Sequence, residues 1–309
     1  MSQYASIATL DALLADLRVG QARRRQLTMV RGELERALVR GGLPVPARRS
    51  LRRLLERETL TTYLRLAESG ALRARQAAGG GSPPTSEATN AARLHCLDLL
   101  RKAHGLPPLR LGSGGRVPLR PTPDYGTLAA LRRELDHNVH SAMSPALTRL
   151  TALLALVLDT APRAGELTAL RLSHFAPGNE AVYVARRPQN AGARQADDAW
   201  YALSPIARAA LERWLAVRTP LVQQAHGTSR LWVSLFVNHA GTLREDGEAV
   251  LRPPGMPLEE KGLLLSYRRG RARYAMAPLL PPKLEQLRRA VLDQAPPVPL
   301  DTAPNAPDR

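Results

Sequence analysis

The sequence predicts a mainly α-helical protein of two domains with one small β-hairpin. Apolar residues recur at three- and four-residue steps over most of the chain, as they do in helices that bury one face. Residues 181–187 instead show a strand-like alternation. Residues 105–123 are rich in glycine and proline and read as a linker, and 309 residues are enough for two domains.

Residues 1–104 are expected to be helical throughout. Leucine stripes predict successive amphipathic helices, and residues 51–66 predict either one helix or a broken pair. The stretch 79–84, Gly-Gly-Gly-Ser-Pro-Pro, interrupts the chain before a last helix over residues 86–104. We interpret these leucines as core, with Cys96 buried on the apolar face of the last helix.

The most informative segment is an apolar helix that runs into a turn with one arginine. Apolar residues form a stripe over residues 147–161, the chain breaks at Pro162, and Arg163 comes directly before a short amphipathic helix with Glu166. Such a turn holds a guanidinium rigidly enough to bind a phosphate. An ordinary helix corner with a surface arginine fits the same spacing.

Downstream of this turn, the sequence predicts a hairpin and then a helix. Residues 181–187 and the apolar residues 200–203 flank a polar turn, as the two strands of a hairpin do. Ser204 and Pro205 have the N-cap and first-turn chemistry of a helix start, so a helix is expected over residues 205–218.

Residues 160–167, Thr-Ala-Pro-Arg-Ala-Gly-Glu-Leu, resemble the Thr-Gly-x-Arg-x-x-Glu-Leu box of the tyrosine recombinases, or phage integrases. Ala161 stands where the box has glycine. The hairpin, the helix and the segment 231–237 follow in the order of the family, so the resemblance covers most of the chain from about residue 122 onward. Residues 85–94 are similar to the last helix of the family's N-terminal core-binding domain.

The resemblance implies a division into domains. It places a helical core-binding (SAM-like) DNA-binding domain at residues 1–104, a linker at residues 105–123 and a tyrosine-recombinase-like catalytic-type domain at residues 124–290. Residues 291–309 are rich in proline and are expected to form a disordered tail. In the family the two domains grip opposite faces of duplex DNA, and a basic linker would follow the phosphate backbone. A flexible, solvated connector is the other interpretation of the linker.

In this family a tyrosine attacks a DNA phosphodiester and forms a 3′-phosphotyrosyl intermediate without a metal. Two arginines neutralise the phosphate, and a hairpin lysine protonates the leaving oxygen. The resemblance puts Arg163 at the first arginine and Glu166 at the structural acid beside it. No lysine lies between residues 102 and 261, and arginine is a poor proton donor because its pKa stays above ~12. Arginines occupy the hairpin region instead, at Arg186, Arg187 and Arg194.

Residues 281–289 resemble the family's second box, Pro-His-x-Leu-Arg. The match puts Arg288 at the second arginine and Arg289 directly after it. Glu285 falls where the family has a histidine, and a carboxylate there repels a phosphate. An amphipathic C-terminal helix with exposed arginines explains the same residues without a site.

The family's tyrosine nucleophile follows the second box, and the sequence has no tyrosine after Arg289. We therefore expect a degenerate, C-terminally truncated relative, with Arg163, Glu166 and Arg288 as vestigial active-site positions. The alternative nucleophiles are Tyr267 and Tyr274, in the basic segment 266–274. That segment is otherwise expected to be a DNA-contacting helix or loop, through Arg268, Arg269, Arg271 and Arg273.

The charge of the chain favours a polyanionic partner, and double-stranded DNA fits best. The formal net charge is +17 and the sequence pI is about 11.2, although 41 of the 44 basic residues are arginine, which a GC-rich coding bias also produces. No apolar run approaches the ~18 residues of a membrane span. The N-terminus lacks the pattern of a signal peptide, and a single cysteine fits a reducing cytoplasm. No cofactor is implied, and the pair His137 and His140 lacks the partners of a metal site.

Three functions are compatible with the sequence. The first is a duplex DNA-binding protein derived from a recombinase, without strand cleavage, which forms homo-oligomers on DNA and has an architectural, regulatory or repair-related role at the nucleoid. The second is an active strand transferase, or integrase, that uses Tyr267 or Tyr274. The third is a basic helical scaffold protein.

Overall fold

The computed structural model describes residues 3–74, 83–109, 119–186, 198–225, 227–243 and 248–300, with the side chains of residues 238–243 left out. The chain divides into two compact units, Met1–Leu119 and Arg120–Arg309. The division falls inside the stretch that the sequence marks as a linker. The mainly helical fold class with a small hairpin is confirmed.

The first unit is all helical in the residues described. Its helices are α1 Ala5–Asp16, α2 Gln21–Val39, α3 Leu51–Leu54, α4 Arg57–Glu68 and α5 Glu87–Ala103. α3 and α4 are the broken pair, because the backbone at Glu56 is extended. Cys96 is fully buried in the leucine core, as predicted, and burial raises the pKa of its thiol.

A buried ion pair joins α2 to α5. The Arg93 guanidinium donates from Nε and Nη2 to the two carboxylate oxygens of Glu33, at 2.9 and 2.7 Å. The Tyr63 hydroxyl, from α4, donates to the same carboxylate at 2.7 Å. All three side chains are shielded from water, so this network fixes the relative positions of three helices.

In the residues that the structure describes, the second unit has six α-helices and two antiparallel hairpins. The helices are α6 Tyr125–His140, α7 Pro145–Thr160, α8 Ala164–Ala169, α9 Pro205–Gln224, α10 Glu260–Arg273 and α11 Leu284–Gln294. The strands are β1 Ala181–Val184, paired with β2 Ala199–Ala202, and β3 Asn238–Leu243, paired with β4 Ala249–Arg252. The first hairpin and the helix after it are confirmed, and the second hairpin was not predicted.

α7 forms the centre of the second unit. It packs against α6, α9, α10 and α11, and nearly every residue from Thr148 to Thr160 is buried. A helix that is apolar on all sides is stable only when surrounded in this way. The Ser144 hydroxyl caps its N-terminus by accepting from the Leu147 N–H. The stacked indoles of Trp214 and Trp232, with ring centroids 6.1 Å apart, belong to the same core.

The prediction that a disordered tail begins at residue 291 is wrong for the first residues of that stretch. α11 continues to Gln294, because the apolar stripe of Leu284 and Leu287 extends to the fully buried Val291. Further on, the Leu300 N–H donates to the Trp200 carbonyl at 2.9 Å. Residues 301–309 lie outside the described residues.

Candidate nucleic-acid interface

The predicted arginine turn begins at the C-terminal end of α7. Ala161 caps this helix in the left-handed conformation, with φ 43° and ψ 49°, and its N–H donates to the Val157 carbonyl. Glycine adopts this conformation at lower cost than alanine. This conformation explains physically why the Thr-Gly-x-Arg-x-x-Glu-Leu box has glycine at the position of Ala161.

Three arginines from different parts of the sequence meet at this turn: Arg163, Arg186 and Arg288. Arg186 follows β1 and donates to the carbonyls of Thr160, at 2.7 Å, and Ala161, at 3.2 Å. Arg288 comes from α11 and donates from Nε to the same Ala161 carbonyl at 3.1 Å. Because Arg186 and Arg288 share one acceptor, their guanidiniums are close neighbours. We call these three residues the arginine cluster.

Glu166 is the buried acid of the arginine cluster. Its side chain is 2% exposed, and its carboxylate accepts from the backbone N–H of Arg163 at 2.8 Å and from the Arg186 guanidinium at 3.2 Å. The Arg163 guanidinium lies 3.9 Å away. Glu166 thus caps α8 and orients two of the three cations.

Glu285 does not stand apart as a repelling charge but pairs with Arg288. Its carboxylate accepts from Arg288 Nη1 at 2.9 Å, and the Glu285 side chain is 53% exposed. Because the Glu285 side chain is largely exposed, solvent screens its attraction to Arg288. An incoming phosphate can therefore displace Glu285 from Arg288 at small cost. The cluster then offers three cations against one buried carboxylate.

The guanidiniums are held in place but remain accessible. The side chains of Arg163, Arg186 and Arg288 are 33%, 18% and 15% exposed. The Tyr201 ring supports Arg186 from one side, with 4.9 Å between the guanidinium carbon and the ring centroid. Backbone carbonyls hold the guanidiniums of Arg186 and Arg288 in place, and a planar guanidinium has the geometry that suits a phosphate.

Neither of the two alternative nucleophiles lies at the arginine cluster. Tyr267 is fully buried, and its hydroxyl donates to the Pro281 carbonyl. Burial raises the pKa of this hydroxyl and keeps a phosphate from reaching it. The Tyr274 hydroxyl lies 2.7 Å from Ser144 Oγ, at the N-terminus of α7. α7 has 16 residues, so its two ends are ~24 Å apart. The alternative in which Tyr267 is the nucleophile does not fit its burial, and Tyr274 is at the opposite end of α7 from the cluster.

The other predicted DNA-contacting arginines are distributed around α10 and α11. Arg268, Arg269 and Arg273 are exposed on α10, whereas Arg271 is directed inward and donates to the Leu280 carbonyl at 2.7 Å. Arg271 therefore stabilises the loop after α10, and this hydrogen bond directs its side chain away from the surface. Arg289 donates to the Arg120 carbonyl at 2.6 Å. Two predicted arginines, Arg187 and Arg194, lie outside the described residues.

Arg149 was not singled out from the sequence as a candidate binding residue, although its position in an apolar helix is unusual for a charged side chain. It is a single arginine within the apolar helix α7, where a charge is costly. Its side chain is buried and borders a cavity at the end of α7 opposite the arginine cluster.

The described part of the second unit carries no metal-like grouping around the predicted histidine pair. His140 faces Asp136 at 3.7 Å on the exposed surface of α6. Throughout the described ranges, no three His, Cys, Asp or Glu side chains are grouped to hold a metal ion. Nor does any helix in those ranges combine the length and apolarity needed to cross a bilayer.

The fold matches those of known recombinases, although no protein-family model and no curated protein matches the sequence. Three solved structures resemble the chain at 14% identity each. XerH site-specific recombinase bound to palindromic difH substrate has a TM-score of 0.55, over 92% of this chain and 72% of that one. The Tn1549 transposon integrase in complex with transposon right end DNA has a TM-score of 0.53, over 94% and 87%. A lambda integrase dimer bound to a COC′ core site has a TM-score of 0.51, over 95% and 89%.

These likenesses show that the chain has the fold of the tyrosine recombinases and integrases. At 14% identity they establish the fold, and the function has to be argued from the residues of this chain.

Proposed function

We propose that this protein binds double-stranded DNA through the arginine cluster and does not cleave it with its own residues. The observation that supports DNA binding most strongly is the convergence of Arg163, Arg186 and Arg288 at one turn. The fold is shared with recombinases whose structures contain DNA, and the net charge of +17 supplies long-range attraction.

In this proposal the arginine cluster takes one phosphate of the DNA backbone. The phosphate replaces Glu285 on Arg288 and accepts hydrogen bonds from the guanidiniums, while Glu166 keeps Arg163 and Arg186 in position. Contacts of this kind fix the position of a protein on the duplex and carry no sequence information. Exposed arginines such as Arg268 would add further, weaker backbone contacts.

The proposal that the protein does not cleave DNA is supported by the side chains around the arginine cluster. Strand cleavage needs a nucleophile in line with the phosphate and an acid for the leaving oxygen. Tyr201 touches the cluster, but with its ring face against Arg186, and it is 6% exposed. Tyr267 is buried and Tyr274 lies at the other end of α7. Arg186 stands in place of the hairpin lysine, and arginine as a residue type is a poor proton donor.

Affinity for DNA is expected to depend steeply on salt. If about 6–10 phosphates are contacted, affinity should fall ~10³–10⁵-fold between 50 and 200 mM salt, because condensed counterions are released on binding. Fluorescence anisotropy with a labelled duplex measures this directly. Failure to bind at 50 mM salt would exclude the DNA-binding proposal and favour a scaffold whose basicity has another origin.

No covalent protein–DNA complex is expected to form. A duplex with a nick next to the attacked phosphate traps a phosphotyrosyl intermediate, because the short cleaved fragment diffuses away. After denaturing electrophoresis we expect free DNA only, since Tyr267 and Tyr274 do not reach the arginine cluster. A slow-migrating band that disappears in Tyr274→Phe, but persists in the control Tyr125→Phe, would instead establish an active strand transferase.

A further inference from the structure

A cavity of about 360 Å³ opens in the second unit, at the N-terminal end of α7. It lies between α7, α10 and the segments around residues 234–236 and 256–259. The arginine cluster is at the other end of α7, ~24 Å away, so the cavity is a separate feature. Its volume is in the range of small-molecule sites.

Arg149 is the buried charge of this cavity. Its side chain is among the buried charged groups of the unit, and Nη1 donates to the Val233 carbonyl at 2.8 Å. Among the described residues no carboxylate lies within ion-pair distance of it, and the protein acceptor described for its guanidinium is the Val233 carbonyl. Burial lowers the pKa of Arg149 to about 10, and the group stays charged at neutral pH. A buried, uncompensated cation is costly unless an anion joins it.

Positive charges predominate among the side chains that line the cavity. Five cationic side chains line it, against the single carboxylate of Glu259. The cations are Arg149, Arg252, Lys261, Arg269 and Arg273. This excess in a concave, partly apolar site strengthens attraction for an anion relative to a flat surface.

Aromatic and apolar side chains complete the lining. Phe236 is 65% exposed at the rim, and the Tyr274 ring stands beside Arg273, 6.0 Å from its guanidinium carbon. Leu150 and Met256 contribute apolar wall. Flat aromatic surface next to guanidiniums is the combination that holds a nucleobase and its phosphate together.

We propose that this cavity binds the phosphate monoester of a single nucleotide, with the phosphate on Arg149 and Arg269 and the base against Phe236. Two sources share this chemistry: a free nucleoside monophosphate and the 5′-phosphorylated end of a DNA strand. The site is independent of duplex binding by the arginine cluster, because no residue belongs to both.

Isothermal titration of the full chain tests the proposal with deoxyadenosine monophosphate, deoxyadenosine and inorganic phosphate as separate ligands. We expect the monophosphate to bind at least about 10-fold more tightly than either fragment, since charged hydrogen bonds and stacking both contribute. Arg149→Met and Arg269→Ala should each weaken it about 10-fold or more, and Arg133→Ala, exposed on α6, should leave it unchanged.

A short single strand of DNA with either a 5′-phosphate or a 5′-hydroxyl distinguishes the two sources of the phosphate. Tighter binding of the phosphorylated strand supports a DNA end, and binding of the free monophosphate alone supports a free nucleotide. If Arg149→Met does not fold, the exposed Arg269→Ala decides the matter. Equal binding of the monophosphate and deoxyadenosine, or a monophosphate affinity that Arg269→Ala leaves unaltered, overturns the proposal whether or not the protein binds duplex DNA.

Discussion

Glu33→Gln is expected to lower the free energy of unfolding of the first unit by about 3–5 kcal/mol. The substitution preserves the shape of the side chain but leaves Arg93, 2% exposed, without its counter-charge. The Tyr63 hydroxyl also loses a charged acceptor. Urea denaturation followed by circular dichroism measures the loss, and amide hydrogen exchange in α2 and α5 assigns it to this unit.

Two matched variants separate the buried charge from general effects of substitution. Glu56→Gln removes the carboxylate of an exposed pair with Arg53, whose side chains are 42% and 62% exposed, and should change stability by less than about 1 kcal/mol. Glu33→Met combined with Arg93→Met removes both buried charges and should recover most of the loss. Equal effects of Glu33→Gln and Glu56→Gln would contradict the account.

Arg163→Ala is expected to weaken duplex binding about 10- to 100-fold at constant salt. A hydrogen bond from a charged group to phosphate contributes ~1.5–3 kcal/mol, and each ~1.4 kcal/mol is a factor of ten. Arg288→Ala should have an effect of similar size, because both guanidiniums meet at the same turn. Fluorescence anisotropy gives the affinities, and circular dichroism checks that the variants fold.

The control for this loss is Arg133→Ala, which removes one exposed positive charge from the same unit. It should change affinity less than about threefold, because an exposed charge acts only through the screened overall field. If Arg133→Ala and Arg163→Ala weaken binding equally, net charge and not the arginine cluster determines affinity.

The helices and the first hairpin could be predicted, because they depend on the spacing of apolar residues and on capping residues within short segments. The apolar spacing around residues 147–161 gave α7, and Ser204-Pro205 marked the start of α9. The order of box, hairpin and helix also indicated the fold. The second hairpin was missed, although the Asp246-Gly247 pair next to the apolar residues 249–251 is a turn signal.

Contacts between residues far apart in the sequence were not predictable. Glu33 and Arg93 are 60 positions apart, and no spacing rule connects them. Tyr267 looked accessible in a basic segment, yet its position on α10 turns it into the core. The meeting of Arg163 with Arg288 followed only from the resemblance, because it depends on α11 packing against α7.

The dependence of affinity on salt tests most directly whether the arginine cluster holds DNA phosphate. The slope of log affinity against log salt concentration is compared between the native chain and the variant Arg163→Ala, Arg186→Ala, Arg288→Ala. We expect the slope of the variant to be shallower by about 1, since each lost phosphate contact removes ~0.9, while Arg133→Ala keeps the native slope. A folded triple variant with native affinity and native slope would contradict the account.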